Sequence, residues 1–367
     1  MPDALKDVFF STAFFNDLAC AVQAVYPPFD KGGFLARIYD AQWDARALKD
    51  KMHHTTVTLH DFLPRDYRAA LNVLLEVAPR LERHGFEKIF LSHFVALYGL
   101  DDWPVSVMAL EAFTQAMSAE FAVRAFILKD QARMMAQMQT WARHNSPAVR
   151  RLASEGCRPR LPWAMALPAL KRDPAPILPI LELLKNDPSD DVRRSVANNL
   201  NDIAKDNPQT VIETLRRWQA DSSSPQTQAL IRHALRTLIK AGNPDALALL
   251  GYGDQPAVKV KNLCIEPDSV AIGESLTFSF VVESTSETAQ ELVIDYILHL
   301  AGANGKPRRK VFKLAKRSLQ PGESVVIRKT HSFRPITTRK YYPGEHAVEI
   351  QINGAPMERI AFAVTAP

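Results

Sequence analysis

Cysteine is scarce. Cys20, Cys157 and Cys264 are the only three in 367 residues, and they stand apart from one another. No CxxC pair and no Cys/His ligand spacing occurs, so neither a zinc site nor a disulfide framework is expected, and the sparse, odd count suits a reducing compartment. Neither GxxxxGK[ST] nor GxGxxG is present, which removes the usual phosphate-cradling loops and with them a nucleotide cofactor. Gly32-Gly33 reads as a simple turn. No stretch approaches the ~18 uncharged apolar residues of a membrane helix. Residues 1–15 lack the basic segment and apolar run of a secretion signal. His53, His54 and His60, with Asp61 following, lack a fourth partner at ligand spacing, so no metal is expected there. The expectation is a chain without cofactor, metal or membrane contact, acting as a monomer.

What remains is ordinary for a soluble protein of one to three domains: 47% hydrophobic and 23% charged residues. The 45 Lys and Arg against 40 Asp and Glu give a net charge of +5, which leans toward a polyanionic partner without establishing one.

The texture changes once along the chain. Up to about residue 250 the apolar spacing is helical, as at Leu71, Leu74, Leu75 and Ala78, or Val107, Leu110 and Phe113. Pro79, Pro104, Pro147, Pro188, Pro208 and Pro225 fall where helices begin or end. Met134, Met135 and Met138 read as core filling. From about residue 255 the pattern alternates. Strands are predicted at 257–263, 276–282, 292–299, 324–329 and 346–352, separated by Gly- and Pro-bearing turns. About seven short strands in this length suggest an immunoglobulin-like sandwich, with residues 251–254 as the linker.

The helical part repeats. SPAVRR at 146–151 matches SDDVRR at 189–194, with Val149 and Val192 lying 43 residues apart, and a further unit runs from Pro225 through Leu235 and Leu238. A two-helix period near 40 is the HEAT pattern, which stacks into a curved solenoid with a concave inner surface. The predicted fold is therefore an all-α HEAT-like repeat solenoid over residues 1–253, followed by a small all-β immunoglobulin-like sandwich over 254–367.

Helical geometry sorts the faces. Val192, Val196, Leu200 and Ile203 share the core line, whereas Arg194, Asn198 and Asp202 share a line offset by about 200°. In the preceding unit Val149 and Ala153 face the core while Arg151 and Glu155 point away, so Arg151 superposes on Arg194 and Glu155 on Asn198. The plain alternative is a solvated face.

Three stretches carry a resemblance. LASEGCRPRLPW at 152–163, SAEFAVR at 118–124 and SVANNLNDIAKD at 195–206 resemble the signatures of the HEAT-repeat DNA alkylation-repair glycosylases, and the AlkC branch in particular. The resemblance covers the helical part and extends to the sandwich, which some AlkC members also carry. It implies excision of cationic N3-methylated bases, such as 3-methyladenine and 3-methylcytosine, from double-stranded DNA in base excision repair, within a bacterial cytoplasm at the nucleoid.

The residue chemistry agrees. A base alkylated on a ring nitrogen is already positive and leaves readily. Cleavage then puts oxocarbenium character on the sugar, which nearby carboxylates can stabilise while holding the attacking water. An aromatic face adds a cation–π contact of about 0.5–2 kcal/mol. By the resemblance, Glu155 and Asp202 are the carboxylates on successive inner helices, Glu120 is a third acidic position, and Trp163 is the aromatic that meets the lesion nucleotide. The bland alternatives are an ion pair of Glu155 with Arg151, a pair of Asp202 with a neighbouring base, a core position for Trp163, and a helix-dipole carboxylate for Glu120.

Arg151, Arg158, Arg160, Arg194 and Asn198 surround these positions and are expected to meet DNA, the arginines through phosphate. Arg150 and Arg193 point elsewhere. Lys306, Arg308, Arg309, Lys310, Lys313, Lys316 and Arg317 fall within twelve residues without an acid. They would make a DNA-binding edge of the sandwich or, alternatively, a lysine-guarded strand edge. The competing function is a noncatalytic HEAT scaffold.

Overall fold

The computed structural model describes residues 9–252, 256–302, 308–336 and 340–366. Lys306 and the expected boundary at 253/254 lie outside these residues. The chain divides into two compact units, Met1–Asn207 and Pro208–Pro367.

The first unit is helical. Its α-helices are α1 Thr12–Val25, α2 Lys31–Ile38, α3 Leu48–Phe62, α4 Tyr67–Val77, α5 Ile89–Tyr98 and α6 Trp103–Phe113, then α7 Val123–Lys129, α8 Gln131–Trp141, α9 Pro147–Glu155, α10 Pro168–Arg172, α11 Leu178–Leu184 and α12 Asp190–Ile203. Side chains set several starts. Ser11, Asp30, Asp66 and Asp130 each accept a hydrogen bond from the backbone N–H of the third residue of the helix they cap. Pro104 and Pro147 fill first-turn positions, where no N–H is required. Leu71, Leu74 and Ala78 are buried as the spacing predicts, as are the three methionines of α8. The matching helices of the two repeats, α9 and α12, pack directly against each other.

The second unit begins with four more helices, α13 Pro208–Asp221, α14 Pro225–Ala234, α15 Arg236–Ala241 and α16 Pro244–Ala248. Eight strands follow: β1 Val258–Glu266, β2 Ser269–Ala271, β3 Ser275–Ser284, β4 Gln290–Leu300, β5 Arg308–Leu319, β6 Ser324–Ser332, β7 Gly344–Ile352 and β8 Ala355–Thr365. They form a three-stranded sheet, β1-β3-β6, and a five-stranded sheet, β2-β8-β7-β4-β5. Their inner faces share a core that includes Phe278, Phe280, Tyr296, Phe333, Val348 and Phe362. β4 is buried on both faces. Leu292, Ile294, Tyr296 and Leu298 enter the core. On the other side Asp295 pairs with Lys313 at 2.7 Å, and Lys313 Nζ also donates to the Ile239 carbonyl of α15. All five predicted strands exist. β2, β5 and β8 were not predicted, because β2 is only three residues long and β5 carries six basic residues, which hide its alternation.

Candidate functional site

Glu155 closes α9 and Asp202 lies one residue from the end of α12. Arg158 joins them: its Nη1 is 2.5 Å from Glu155 Oε1 and its Nε is 2.9 Å from Asp202 Oδ2. Glu155, Asp202 and Arg158 are all buried, at 4%, 2% and 6% exposure. The remaining acceptors are also engaged. Ser195 Oγ donates to Glu155 Oε2 at 2.6 Å, and Lys205 Nζ to Asp202 Oδ1 at 3.0 Å. Arg151 bridges outward, donating to Glu120 Oε2 at 2.9 Å and Ser118 Oγ at 3.2 Å while lying 3.7 Å from Glu155. The three expected carboxylates thus belong to one ion network threaded by two arginines. Burial opposes the charge on Arg158, but Glu155 and Asp202 outweigh it and raise its pKa further above the usual guanidinium value.

A hollow of about 300 Å³ opens beside this network, walled by Glu120, Glu155, Arg158, Phe121 and Trp163. Asp202 is not part of that wall; it stands behind Arg158. Trp163 is not core. It is 59% exposed and has a left-handed backbone, φ 63°, a conformation that costs a non-glycine residue roughly 1–3 kcal/mol and has to be held by its surroundings.

The hold is local. Arg124, fully buried at the start of α7, donates from Nε to the Met165 carbonyl at 2.7 Å, and from Nη1 to the carbonyls of Gly156 and Arg158 at 3.1 and 2.9 Å. Burial lowers its pKa to about 10, which leaves it cationic at neutral pH. Lys49 Nζ donates to the Trp163 carbonyl at 3.0 Å. Gly156 lets the end of α9 pass close to its neighbours, since a Cβ there would stand 2.5 Å from Val123 Cγ2. Cys157 is fully buried, and burial pushes its thiol up to about 12, so it is no nucleophile.

Several expectations change in detail. Glu155 does not point away from the helix packing but is buried against α12. Asp202 shares a buried polar line with Ser195 and Asn199 rather than with exposed Arg194 and half-buried Asn198. Arg158, expected to meet phosphate, turns inward to two carboxylates. Arg160 makes a bidentate pair with Asp206, at 2.9 and 2.7 Å. Arg194 is exposed, 3.3 Å from Asp191. Arg150 is bound to Asp187, away from the network, as its spacing implied. In the second unit Arg308, Arg309 and Lys310 open β5, an outer strand of its sheet.

The sequence reading missed Arg124, Lys205, Ser195 and Asn199. The signal for the last two was the i, i+4, i+7 spacing that ends on Asp202.

The family model described as DNA alkylation repair enzyme matches residues 115–238, the span that holds the whole ion network. A second, described as the C-terminal Ig-like domain of the uncharacterised protein YhaZ, matches 259–366. The uncharacterized protein YhaZ of Bacillus subtilis (strain 168) is 41% identical over 360 residues, covering 98% of this chain and 99% of that protein. The Pseudomonas fluorescens alkylpurine DNA glycosylase AlkC, solved bound to DNA containing an abasic site analog, is 41% identical over 100% of both chains, with a TM-score of 0.85. The chain belongs to the AlkC branch of the DNA alkylation-repair enzymes.

Proposed function

We propose that this protein is a monofunctional DNA glycosylase. It hydrolyses the N-glycosidic bond of cationic N3-alkylated bases, 3-methyladenine and 3-methylcytosine, in duplex DNA bound on a HEAT-like solenoid. One observation supports this above the others. A hollow walled by two carboxylates, a guanidinium and an exposed indole lies in a chain similar from end to end to an alkylpurine glycosylase.

Glu120 and Glu155 supply negative charge from the wall as the sugar turns positive, and they hold the attacking water. Asp202 acts through Arg158, whose charge it shares with Glu155. Trp163 offers its ring to the lesion nucleotide. Lys205 is tied to Asp202 by an ion pair, so water rather than its amine is the nucleophile.

The test is release of free base from methylated duplex under single-turnover conditions. Glu155→Gln is expected to slow release by roughly 10²–10³-fold, in the range for removing one electrostatic group from an active site, and Asp202→Asn by less. Both variants should keep DNA affinity. Wild-type rates in both would overturn these roles, and salt-dependent binding with no base released by the wild type would favour the scaffold.

A further inference from the structure

The cations expected to grip phosphate in the helical unit are taken up by carboxylates. Arg151 serves Glu120, Arg158 serves Glu155 and Asp202, Arg160 serves Asp206 and Arg194 lies against Asp191; Lys205, which was not among them, likewise serves Asp202. Among the described residues the same unit holds a cluster of basic side chains without such partners, next to residues that line the hollow. Lys49 and His53 stand one turn apart on α3, and His53 Nδ1 lies 3.2 Å from His93 Nε2 on α5. Among the described residues none of the three is ion-paired with a carboxylate. Two contacts place the cluster. Lys49 Nζ holds the Trp163 carbonyl, and Ile89, one turn before His93 on α5, lines the hollow together with Trp163.

We infer that Lys49, His53 and His93 form a binding site for a backbone phosphate of the DNA strand at the rim of the hollow. Lys49 and His53 are exposed and reachable, and His93 is half-buried behind them. An ammonium with one proton given to a carbonyl keeps two for phosphate oxygens. Two imidazoles within hydrogen-bond distance accommodate one shared proton, and a phosphate beside them stabilises a second. The empty site is electropositive and partly desolvated. Burial first, then His53 and Lys49, lower the His93 pKa to about 4, and no ionisable group from other helices adds to these among the described residues. The negative charge of an arriving phosphate favours the charged imidazole and offsets this shift, so binding takes up a proton and tightens as pH falls.

The inference rests on the DNA-glycosylase reading only for the identity of the polymer. The experiment uses the full chain and a labelled duplex holding an abasic analogue, with anisotropy read at pH 7.5 and 6.0 over a range of salt. Wild-type affinity is expected to rise at least roughly threefold at the lower pH, where uptake of one proton sets a limit of about tenfold per pH unit. His53→Gln with His93→Gln should flatten that rise. Lys49→Gln, a surface change that tests the site even if the double variant does not fold, should make the log–log salt slope shallower by about one. Methylphosphonate substitution at successive phosphates should erase the Lys49→Gln effect at one position only. Unchanged salt slope in Lys49→Gln, or unchanged pH response in a folded double variant, overturns the inference. Base release by the wild type separates the two readings. Release with wild-type binding by Lys49→Gln leaves the glycosylase and removes the phosphate site; no release with weakened binding does the reverse.

Discussion

An indole left in solvent on a left-handed backbone is costly twice, once in exposed apolar surface and once in strain. Trp163 bears both. Asparagine tolerates the left-handed region far better, so Trp163→Asn should leave the melting temperature unchanged or raise stability by up to ~1 kcal/mol. It should also slow base release by up to roughly thirtyfold, as expected on removing a cation–π interaction of about 2 kcal/mol. Calorimetry and single-turnover assays check the two halves. A large fall in melting temperature would mean that the ring packs as core and the functional assignment is wrong. The sequence already marked this tryptophan and the two carboxylates as special through their resemblance to a family, but residue types alone did not reveal that Glu155 and Asp202 are buried. That follows from Arg158, three residues beyond the end of α9, which folds back between them. A guanidinium read as a surface phosphate ligand became the bridge of a buried triad, because two carboxylates entering a helix interface need a cation more than the solvent does.

The packing of α9 on α12 is where element-scale reasoning succeeded and where it slipped. Val149, Ala153, Val192, Val196 and Leu200 are all buried, as the 43-residue repeat implied. The polar line Ser195, Asn199 and Asp202 was misjudged. Asp202 lies angularly between that line and the Arg194–Asn198 line, and periodicity cannot choose between two faces 100° apart when both are polar. The choice is made across the interface, where Ser195 meets Glu155 and Asn199 Nδ2 donates to the Ser154 carbonyl at 2.8 Å. The same interface depends on the lack of a side chain at Gly156. Gly156→Ala would bring a methyl within 2.5 Å of Val123 and 3.0 Å of Met138. It is expected to lower stability by ~1–3 kcal/mol, the usual cost of overpacking, measurable by urea titration. Base release should slow with it, since Arg124 grips the carbonyl of this residue. Unchanged stability would mean that the helices can part at this point without consequence.

At the scale of the whole molecule the question is where the attraction for a polyanion comes from, because most arginines around the hollow are neutralised within the fold. A net charge of +5 leaves a modest excess, and β5 concentrates it: Arg308, Arg309, Lys310, Lys313, Lys316 and Arg317 lie on one outer strand. Not all are equally available. Lys313 is bound to Asp295, and Arg309 lies 3.9 Å from Glu349. Arg308 sits over the Tyr342 ring at 5.9 Å, and Arg317 Nη1 donates to the neighbouring Lys316 carbonyl, interactions that leave both charges uncompensated by acids among the described residues. If the strand contributes to DNA affinity, Arg308→Gln with Arg317→Gln should weaken duplex binding and make its salt slope shallower, by up to about one for each phosphate no longer neutralised. The single-turnover rate at saturating protein should stay unchanged, because neither residue belongs to the ion network. Lysine- and arginine-rich outer strands also arise for another reason, to keep an exposed sheet edge from pairing with other chains. That role predicts the opposite pattern: an unchanged salt slope for DNA, with self-association of the variant rising in sedimentation at high protein concentration.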